Sequence, residues 1–315
     1  MADVIKTATR DAYGKALVEL GQKNDKVIVF DADLAAATKT GMFKKEFPER
    51  FIDCGIAEGN MMGVAAGMAT AGYTVFASSF AMFAAGRAFE QVRNTIGYPH
   101  INVKIGATHA GISVGEDGAS HQCCEDIALM RTIPGMTIIN PADDIEARLA
   151  VMAAAEIDGS VYMRFGRLAV PRIFDENYKF EIGKGVYLKE GKDVTIIATG
   201  LMVERALQAA EQLKAEGIDA AVINMATIKP IDRDIIVDAA KKTGAIVTAE
   251  EHSVIGGLGE AVAGVVAETT PVPVLRVGVE DTFGKSGPAL ELLEIFGLNA
   301  ENICKKAKQA IANKQ

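Results

Sequence analysis

The stretch DCGIAEGNMMGVAAGMATAG, residues 53–72, contains the features that decide the fold. A short strand is predicted to end at Cys54-Gly55, and a helix rich in small residues is predicted to begin near Ala57. Glu58 then lies in the first turn of that helix, where the helix dipole favours a carboxylate, so its spacing alone indicates a structural role. A strand that runs directly into a helix is the repeating unit of an α/β sheet.

Three glycines in this helix, Gly59, Gly63 and Gly67, recur every four residues and therefore lie on one helix face. Glycine inside a helix costs up to about 1 kcal/mol relative to alanine, so three in one stripe indicate a packing requirement. A subunit interface and tight packing within the monomer are both compatible with the stripe, and we favour the interface.

Short apolar or β-branched runs alternate with helical stretches on both sides of this unit, which is typical of a parallel α/β layer. The first six predicted strands lie at Val27–Phe30, Phe51–Asp53, Thr74–Ala77, Ile101–Ile105, Met136–Ile139 and Val161–Met163. A second series lies at Val194–Ala198, Ala220–Asn224, Ala245–Ala249 and Val274–Val277. The predicted class is α/β with two doubly wound domains: a six-stranded, mostly parallel domain and a smaller αβ domain.

The segment from Gly166 to Lys192 interrupts this rhythm with a proline, several glycines and scattered charges, as an interdomain connection does. We place the boundary near 185–190, which gives domains at 1–187 and 188–315. A length of 315 residues agrees with two domains of about 150 residues each.

Composition excludes several classes of protein. Hydrophobic residues make up 49% and charged residues 23% of the chain, which is normal for a globular protein. The formal net charge of −8 provides no basic field for a nucleic acid or an anionic membrane surface. Four cysteines without a CxxC pair indicate a reducing compartment, and we expect a cytoplasmic protein.

Two segments raise the question of a membrane or targeting sequence, and neither has the pattern of one. The 28 residues from Gly59 to Gly86 carry no charge, but they are mainly small residues and AGYT at 71–74 divides them into a helix-like and a strand-like piece. The start of the chain mixes both charge signs and lacks a continuous apolar segment, so we expect no secretory signal there.

A glycine-rich loop after the fourth predicted strand gathers His109, Glu116, Asp117 and His121 within 13 residues. Convergent polar groups on a flexible loop indicate a site, although each histidine taken singly could be an ordinary hydrogen-bonded loop residue. The two histidines lack the spacing of zinc motifs, so no metal site is expected on this chain.

Phe80 and Phe83 lie one helical turn apart, a spacing more typical of core packing than of a cofactor platform. In IGGLGEAVAG, the glycines Gly257 and Gly259 superficially match a dinucleotide loop, but Val262 occupies the position of the third glycine. We interpret that segment as the start of a helix.

Taken together, these segments resemble the C-terminal two-thirds of transketolases. The resemblance rests on SVGEDGASHQ at 113–122, DCGIAEGNMMG at 53–63 and ADL at 32–34. It implies dependence on thiamine diphosphate and a divalent metal, Mg²⁺ or Ca²⁺. The family's metal-diphosphate signature, GDG followed later by Asn, is missing, which implies a partner subunit that carries the diphosphate-binding domain and the metal ligands, in an α2β2 assembly.

The resemblance also assigns residues around the cofactor. Glu58 matches the glutamate that hydrogen-bonds N1′ of the aminopyrimidine and so is a catalytic candidate together with His121. Phe80 and Phe83 match aromatic positions around that ring, and Asp33 matches an aspartate beside the cofactor.

A second set of residues is implied for the substrate. Asp117 and His121 match residues that contact the sugar hydroxyls, whereas Arg10, His109 and Arg164 match residues that hold the sugar's phosphate.

The implied reaction transfers a two-carbon ketol unit from a ketose phosphate such as xylulose 5-phosphate to an aldose phosphate such as ribose 5-phosphate, in the pentose phosphate pathway. Three alternatives stay open: a 1-deoxyxylulose-5-phosphate synthase-like enzyme, a 2-oxoacid dehydrogenase β subunit-like enzyme, and a non-catalytic paralogue.

Overall fold

A computed structural model describes residues 5–314 of the chain. The first part contains β1 (Lys6–Ala8), α1 (Thr9–Lys23), β2 (Val27–Asp31), α2 (Ala35–Thr38), α3 (Gly41–Glu46), β3 (Phe51–Asp53), α4 (Glu58–Thr70) and β4 (Thr74–Phe80). It continues through α5 (Phe89–Gln91), β5 (Val103–Thr108), α6 (Asp126–Arg131), β6 (Thr137–Ile139), α7 (Asp144–Glu156), β7 (Val161–Arg164) and β8 (Ala169–Pro171). Two π-helical turns, Met82–Arg87 and Val92–Gly97, flank α5.

The second part contains β9 (Val186–Lys189), β10 (Val194–Ala198), α8 (Met202–Ala215), β11 (Ala220–Asn224), β12 (Thr227–Lys229), α9 (Arg233–Thr243) and β13 (Ile246–Ser253). It ends with α10 (Leu258–Thr269), β14 (Val274–Val279), α11 (Ala289–Ile295) and α12 (Ala300–Ala312). Helix α10 begins directly after Gly257, as the sequence predicts.

The first sheet has the strand order β12-β6-β7-β5-β4-β2-β3, and all its pairings are parallel except β12 with β6. The six predicted strands of the first domain are confirmed. The seventh strand, β12, is a three-residue segment contributed by the second part of the chain, and it is too short to show a periodic pattern. The sheet therefore joins the two parts of the chain.

The second sheet has the order β14-β13-β10-β11-β9, with four parallel strands and an antiparallel edge strand, β9. The four predicted strands of this domain are present. The domain boundary proposed at 187/188 falls inside β9, which pairs with β11 of the second sheet.

Alternate residues of β2 show why the first domain is doubly wound. Ile28 and Phe30 join a core that contains Met61 of α4, whereas Val29 joins a separate core that contains Leu17 of α1. Because successive side chains of a strand point to opposite faces, helices cover both faces of the sheet.

No described helix is both long enough and apolar enough to cross a membrane. The uncharged segment from Gly59 to Gly86 folds largely as the α4–β4 unit.

Candidate functional site

The candidate site residues collect at the carboxyl ends of neighbouring parallel strands, where open α/β sheets bind ligands. β4 ends at Phe80 and β5 ends at Thr108, directly before His109. Glu58 opens α4, which follows β3. The sheet order β5-β4-β2-β3 therefore brings segments distant in sequence to one edge.

Four rings form a cluster at this edge. Phe80 stacks on His109 with ring centroids 3.8 Å apart and on Phe83 at 5.8 Å. The His121 ring meets Phe83 edge-on at 5.2 Å. Phe80 is buried, whereas Phe83 and His121 are partly exposed. The two phenylalanines are thus in contact with each other and with both histidines of the loop, rather than with the apolar core alone.

Glu58 is 2% exposed, and both its carboxylate oxygens accept hydrogen bonds from Nη1 of Arg87, at 3.0 and 3.1 Å. The Arg87 guanidinium lies 4.5 Å from the Phe83 ring centroid, and its side chain is 53% exposed. Arg87 therefore links Glu58 to the ring cluster. Arg87 was not predicted from the sequence, since nothing in the spacing pairs residues 29 positions apart.

His109 is buried, and each of its two ring nitrogens makes a hydrogen bond. Its Nε2 lies 2.8 Å from Nη1 of Arg10, and its Nδ1 lies 3.0 Å from Oγ1 of Thr108. Burial, reinforced by the nearby Arg10, lowers the pKa of His109 to about 3. The imidazole is therefore neutral at physiological pH.

Two further cations lie near His109, and neither was predicted from the sequence. The charges of Arg167 and Lys39 contribute to the lowered pKa of His109. Arg167 donates to the carbonyl of Val114 and pairs with Glu116 at 3.1 Å. Lys39 pairs with Asp11 at 3.3 Å, so among the described residues Arg10 is the cation at this end of the site that has no carboxylate partner, which suits an anionic group on a ligand.

Asp33 is exposed and has a left-handed backbone with φ of 62°, and its N–H donates to the Asp53 carboxylate at 3.1 Å. The buried carboxylate of this segment is Asp31, which accepts hydrogen bonds from the hydroxyls of Thr38 and Thr40 at 2.7 and 2.8 Å. Burial raises the pKa of Asp31. Asp31 thus shapes the segment that carries Asp33.

In the loop predicted to carry the site, Asp117 is exposed and its carboxylate makes no hydrogen bond or ion pair within residues 5–314. His121 is half-buried, and its Nδ1 lies 2.9 Å from Oγ of Ser120. Both side chains are therefore free to contact a ligand.

The second domain holds this loop in place. Oε1 of Glu251, in β13, accepts a hydrogen bond from the N–H of Ser113 at 2.6 Å. Nε2 of Gln122 donates to the carbonyls of Ile112 at 3.1 Å and Lys285 at 3.0 Å. The position of Asp117 and His121 therefore depends on contacts between the two domains.

Arg164 is 3% exposed, and its guanidinium donates to Asp126 at 2.9 Å and to the carbonyls of Cys123 and Glu251. The structure therefore places Arg164 in a buried interdomain network. It does not bring the Arg164 side chain into hydrogen-bond contact with Arg10, His109 or His121.

The part of the chain that the structure covers contains no group of three His, Cys, Asp or Glu residues suited to a metal ion.

Comparison with known families matches two profiles along the chain: "Transketolase, pyrimidine binding domain" at residues 5–172 and "Transketolase, C-terminal domain" at residues 183–303. Together these profiles cover most of the chain.

Three curated relatives align with this chain over nearly their whole length. A Methanocaldococcus jannaschii protein described as a transketolase C-terminal section is 54% identical over 94% of this chain and 94% of its own length. The 6-deoxy-6-sulfo-D-fructose transketolase subunit SqwH of a Clostridium species is 46% identical, over 97% and 95%. A subunit of the apulose-4-phosphate transketolase of Phocaeicola vulgatus is 39% identical, over 96% and 97%.

Among solved structures, a chain titled as a split-gene transketolase in an inactive beta4 tetramer superposes with a TM-score of 0.92. It is 57% identical in sequence, and the match covers 98% of this chain and 99% of that chain.

Proposed function

This chain belongs to the transketolase family as a C-terminal subunit, and we propose that it works with a separate diphosphate-binding subunit to transfer a two-carbon ketol unit from a ketose phosphate to an aldose phosphate. One observation carries the proposal. A continuous series of contacts runs from the buried Glu58 carboxylate through Arg87 and the Phe83–Phe80 rings to His109 and the cation beside it. The Glu58 carboxylate and the Arg10 guanidinium thus lie at the two ends of one series of contacts.

The residues present fit the pyrimidine half of thiamine diphosphate. Glu58 supplies a buried carboxylate that can accept a hydrogen bond, and the partly exposed Phe83 beside Phe80 supplies an aromatic face. When bound, thiamine diphosphate supplies a carbon nucleophile and an electron sink for the ketol transfer. We assign the diphosphate and its Mg²⁺ or Ca²⁺ to the partner subunit, since the described residues offer no metal-ligand cluster.

Within this scheme each group of the chain has a separate task. The Glu58 carboxylate accepts a hydrogen bond from the pyrimidine ring. Phe80 and Phe83 orient that ring. Asp117 and His121 bind the sugar hydroxyls through the Asp117 carboxylate and Nε2 of His121, which make no hydrogen bond among the described residues. Arg10 and the cations around it attract the terminal anion of the sugar. The buried environment of Arg164 supports a role in holding the loop rather than in direct contact with phosphate.

Two of the relatives are named for different sugars. One is described as a subunit of a 6-deoxy-6-sulfo-D-fructose transketolase and another as a subunit of an apulose-4-phosphate transketolase. We propose ketose phosphates of the pentose phosphate pathway, such as xylulose 5-phosphate, with ribose 5-phosphate as acceptor. We also propose an α2β2 assembly in the cytoplasm.

The substrate test is a panel of donors. This chain is co-expressed with a chain that carries the diphosphate-binding domain, and transfer is measured with xylulose 5-phosphate, 6-deoxy-6-sulfofructose and a non-phosphorylated ketose. We expect kcat/KM to be highest for xylulose 5-phosphate. A tenfold preference for the sulfo sugar would replace the proposed substrate. Absence of transfer with every donor, in a complex shown to be assembled, would reject the proposed activity.

A further inference from the structure

Two neighbouring glutamates of β13, Glu250 and Glu251, are buried, with exposed fractions of 1% and 4%. Because successive side chains of a strand point to opposite faces, the two carboxyl groups have different surroundings. Oε2 and Oε1 of Glu250 accept hydrogen bonds from the N–H groups of Leu258 at 2.7 Å and Gly259 at 2.8 Å, in the first turn of α10. Glu250 therefore stabilises a helix of its own domain, whereas Glu251 points toward the first domain.

Glu251 reaches the loop that follows β5, residues 110–122, which we call the substrate loop. Oε1 of Glu251 accepts a hydrogen bond from the N–H of Ser113 at 2.6 Å. The carboxyl group also lies against the backbone of Gly111, where a Cβ would be 2.4 Å from Cδ and 2.5 Å from Oε1 of Glu251. Gly111 has φ of 82°, a conformation that favours glycine. The start of the loop therefore has the shape that this carboxyl group requires.

The hydrogen bond to Ser113 supplies an acceptor that the loop itself does not provide. Residues Ile112–Val114 form a 3₁₀ turn that follows Gly111. The first N–H groups of a helical turn have no partner within it, and glycine has no side chain that could accept from them. Glu251 provides the acceptor from the other domain, so its position fixes the start of the turn.

The rest of the loop is connected to this turn. Nε2 of Gln122, the last residue of the loop, donates to the carbonyls of Ile112 at 3.1 Å and Gly115 at 3.3 Å. The N–H of Gly115 also donates to the Ile112 carbonyl at 3.1 Å. Both ends of the loop thus contact the same turn, and Asp117 and His121 lie between them. A shift of that turn therefore moves both side chains.

The backbone of Glu251 is itself fixed to the first domain. Nη2 of Arg164 donates to the carbonyl of Glu251 at 2.9 Å and to the carbonyl of Cys123 at 3.2 Å. The Cys123 carbonyl also accepts from the N–H of Gly111 at 2.9 Å. A fixed backbone gives the Glu251 side chain a defined reach to Ser113, as a positioning role requires.

We propose that Glu251 is a positioning residue of the second domain: its carboxyl group holds the first turn of the substrate loop and thereby places Asp117 and His121 against the sugar. Glu251 itself contacts neither the sugar nor thiamine diphosphate. Gln122, which also donates to the carbonyl of Lys285 at 3.0 Å, holds the far end of the loop. The inference rests on the proposed function, since it takes the loop to bind the substrate.

The first test measures the loop in the full chain without turnover. Hydrogen exchange of backbone amides, followed by mass spectrometry of peptides that cover residues 110–122, reports opening of the loop. Glu251→Met keeps the length of the side chain and removes the acceptor, whereas Glu251→Gln keeps an oxygen for the Ser113 N–H. We expect exchange at least about tenfold faster in Glu251→Met and near the parent rate in Glu251→Gln. Unchanged exchange in Glu251→Met would overturn the proposal.

Glu250→Met is the matched control, because it removes a buried carboxyl group from the adjacent position of the same strand. It should lower the stability of the second domain through α10 and leave the exchange of residues 110–122 near the parent rate. Equal acceleration in the two methionine variants would mean that the loop only follows the general stability of the second domain. That result would contradict a positioning role for Glu251.

The second test is kinetic and uses the complex with the diphosphate-binding chain. We expect Glu251→Met to raise KM for the ketose phosphate donor about tenfold, and Glu251→Gln to keep it within about threefold of the parent value. The affinity for thiamine diphosphate should change by less than about twofold, because Glu58, Phe80 and Phe83 lie on other elements. An equal rise in KM in the two Glu251 variants, or a matching loss of cofactor affinity, would contradict positioning through an acceptor.

The two tests separate this inference from the proposed function. If an assembled complex turns over no donor but the exchange result holds, the proposed function fails together with the placement against the sugar, and Glu251 still shapes the loop. If donors are turned over and Glu251→Met changes neither exchange nor KM, the positioning role alone is refuted.

Discussion

Replacing Glu58 by glutamine is the most informative perturbation of the cofactor side of the site. Glutamine nearly preserves the volume of the buried side chain and keeps one oxygen that can accept from Arg87. The second contact is lost, because the amide nitrogen of glutamine is itself a donor and cannot accept a hydrogen bond from Arg87. Arg87 is 53% exposed and can turn to water, so the loss in stability should be about 1–2 kcal/mol, well below the roughly 5–15 kcal/mol of a typical domain.

The catalytic consequence should be larger. If the Glu58 carboxylate accepts a hydrogen bond from the pyrimidine ring, its removal should slow proton exchange at the thiazolium carbon by on the order of 10²-fold or more, or about 2.7 kcal/mol. Deuterium exchange at that carbon, measured in the reconstituted complex, reports this step directly. Circular dichroism and light scattering should show a folded, assembled variant.

Arg87→Gln is the matched control, since it breaks the same ion pair from the other side and leaves the carboxylate. We expect its exchange rate to stay within about tenfold of the parent, because the Glu58 side chain itself is unchanged. If Glu58→Gln exchanges as fast as the parent, Glu58 is only a carboxylate at a helix start. If both variants lose exchange equally, the ion pair rather than the carboxylate is what the site requires.

Three further predictions concern other parts of the molecule. Asp117→Ala and His121→Ala should each lower kcat/KM for ketose phosphates by about 1–3 kcal/mol with little change in cofactor affinity, and an equal loss of cofactor binding would contradict their assignment to substrate. A Cβ at Gly63 meets no atom within 4 Å, so Gly63→Leu should spare the monomer fold but disrupt assembly if the glycine stripe is an interface; an unchanged mass by light scattering would refute the interface. Because the pKa of His109 is lowered to about 3, the unfolded chain takes up a proton below pH 6.5 that the folded chain refuses, so acidification from pH 6.5 should cost up to about 1.4 kcal/mol per pH unit. Denaturant unfolding at pH 6.5 and 5 should show this loss, and His109→Asn should remove it; an identical pH slope in the two proteins would refute it.

The fold was predictable because strand and helix periodicities are strong over most of the chain. The strands that the sequence analysis missed include β9 and β12, which are short and antiparallel edge strands. Their pairing is decided by tertiary contact rather than by a local pattern.

The position of a candidate residue was predictable where a motif fixes it, as for Glu58, which opens α4. Residues that reach the site from distant segments could not be predicted in this way, and Arg87 and Arg167 are the clearest cases. A signal for Asp31 did exist: a charged residue that continues the apolar run VIVF is a candidate for a buried, hydrogen-bonded carboxylate.

Burial of a cation is equally hard to read from sequence. Arg164 is the last residue of the apolar strand β7. Only the tertiary structure shows that its guanidinium donates hydrogen bonds to Asp126 and to the carbonyl of Glu251 in the second domain.

If this chain supplies half of a composite active site, adding the other half must create the activity, and a mixing titration measures this. Ketol transfer from xylulose 5-phosphate is measured while a chain that carries the diphosphate-binding domain is added to this purified chain with thiamine diphosphate and Mg²⁺. The expected result is no transfer and weak cofactor binding by this chain alone, and activity that rises to a plateau at equimolar chains. Full transfer by the single purified chain would contradict it.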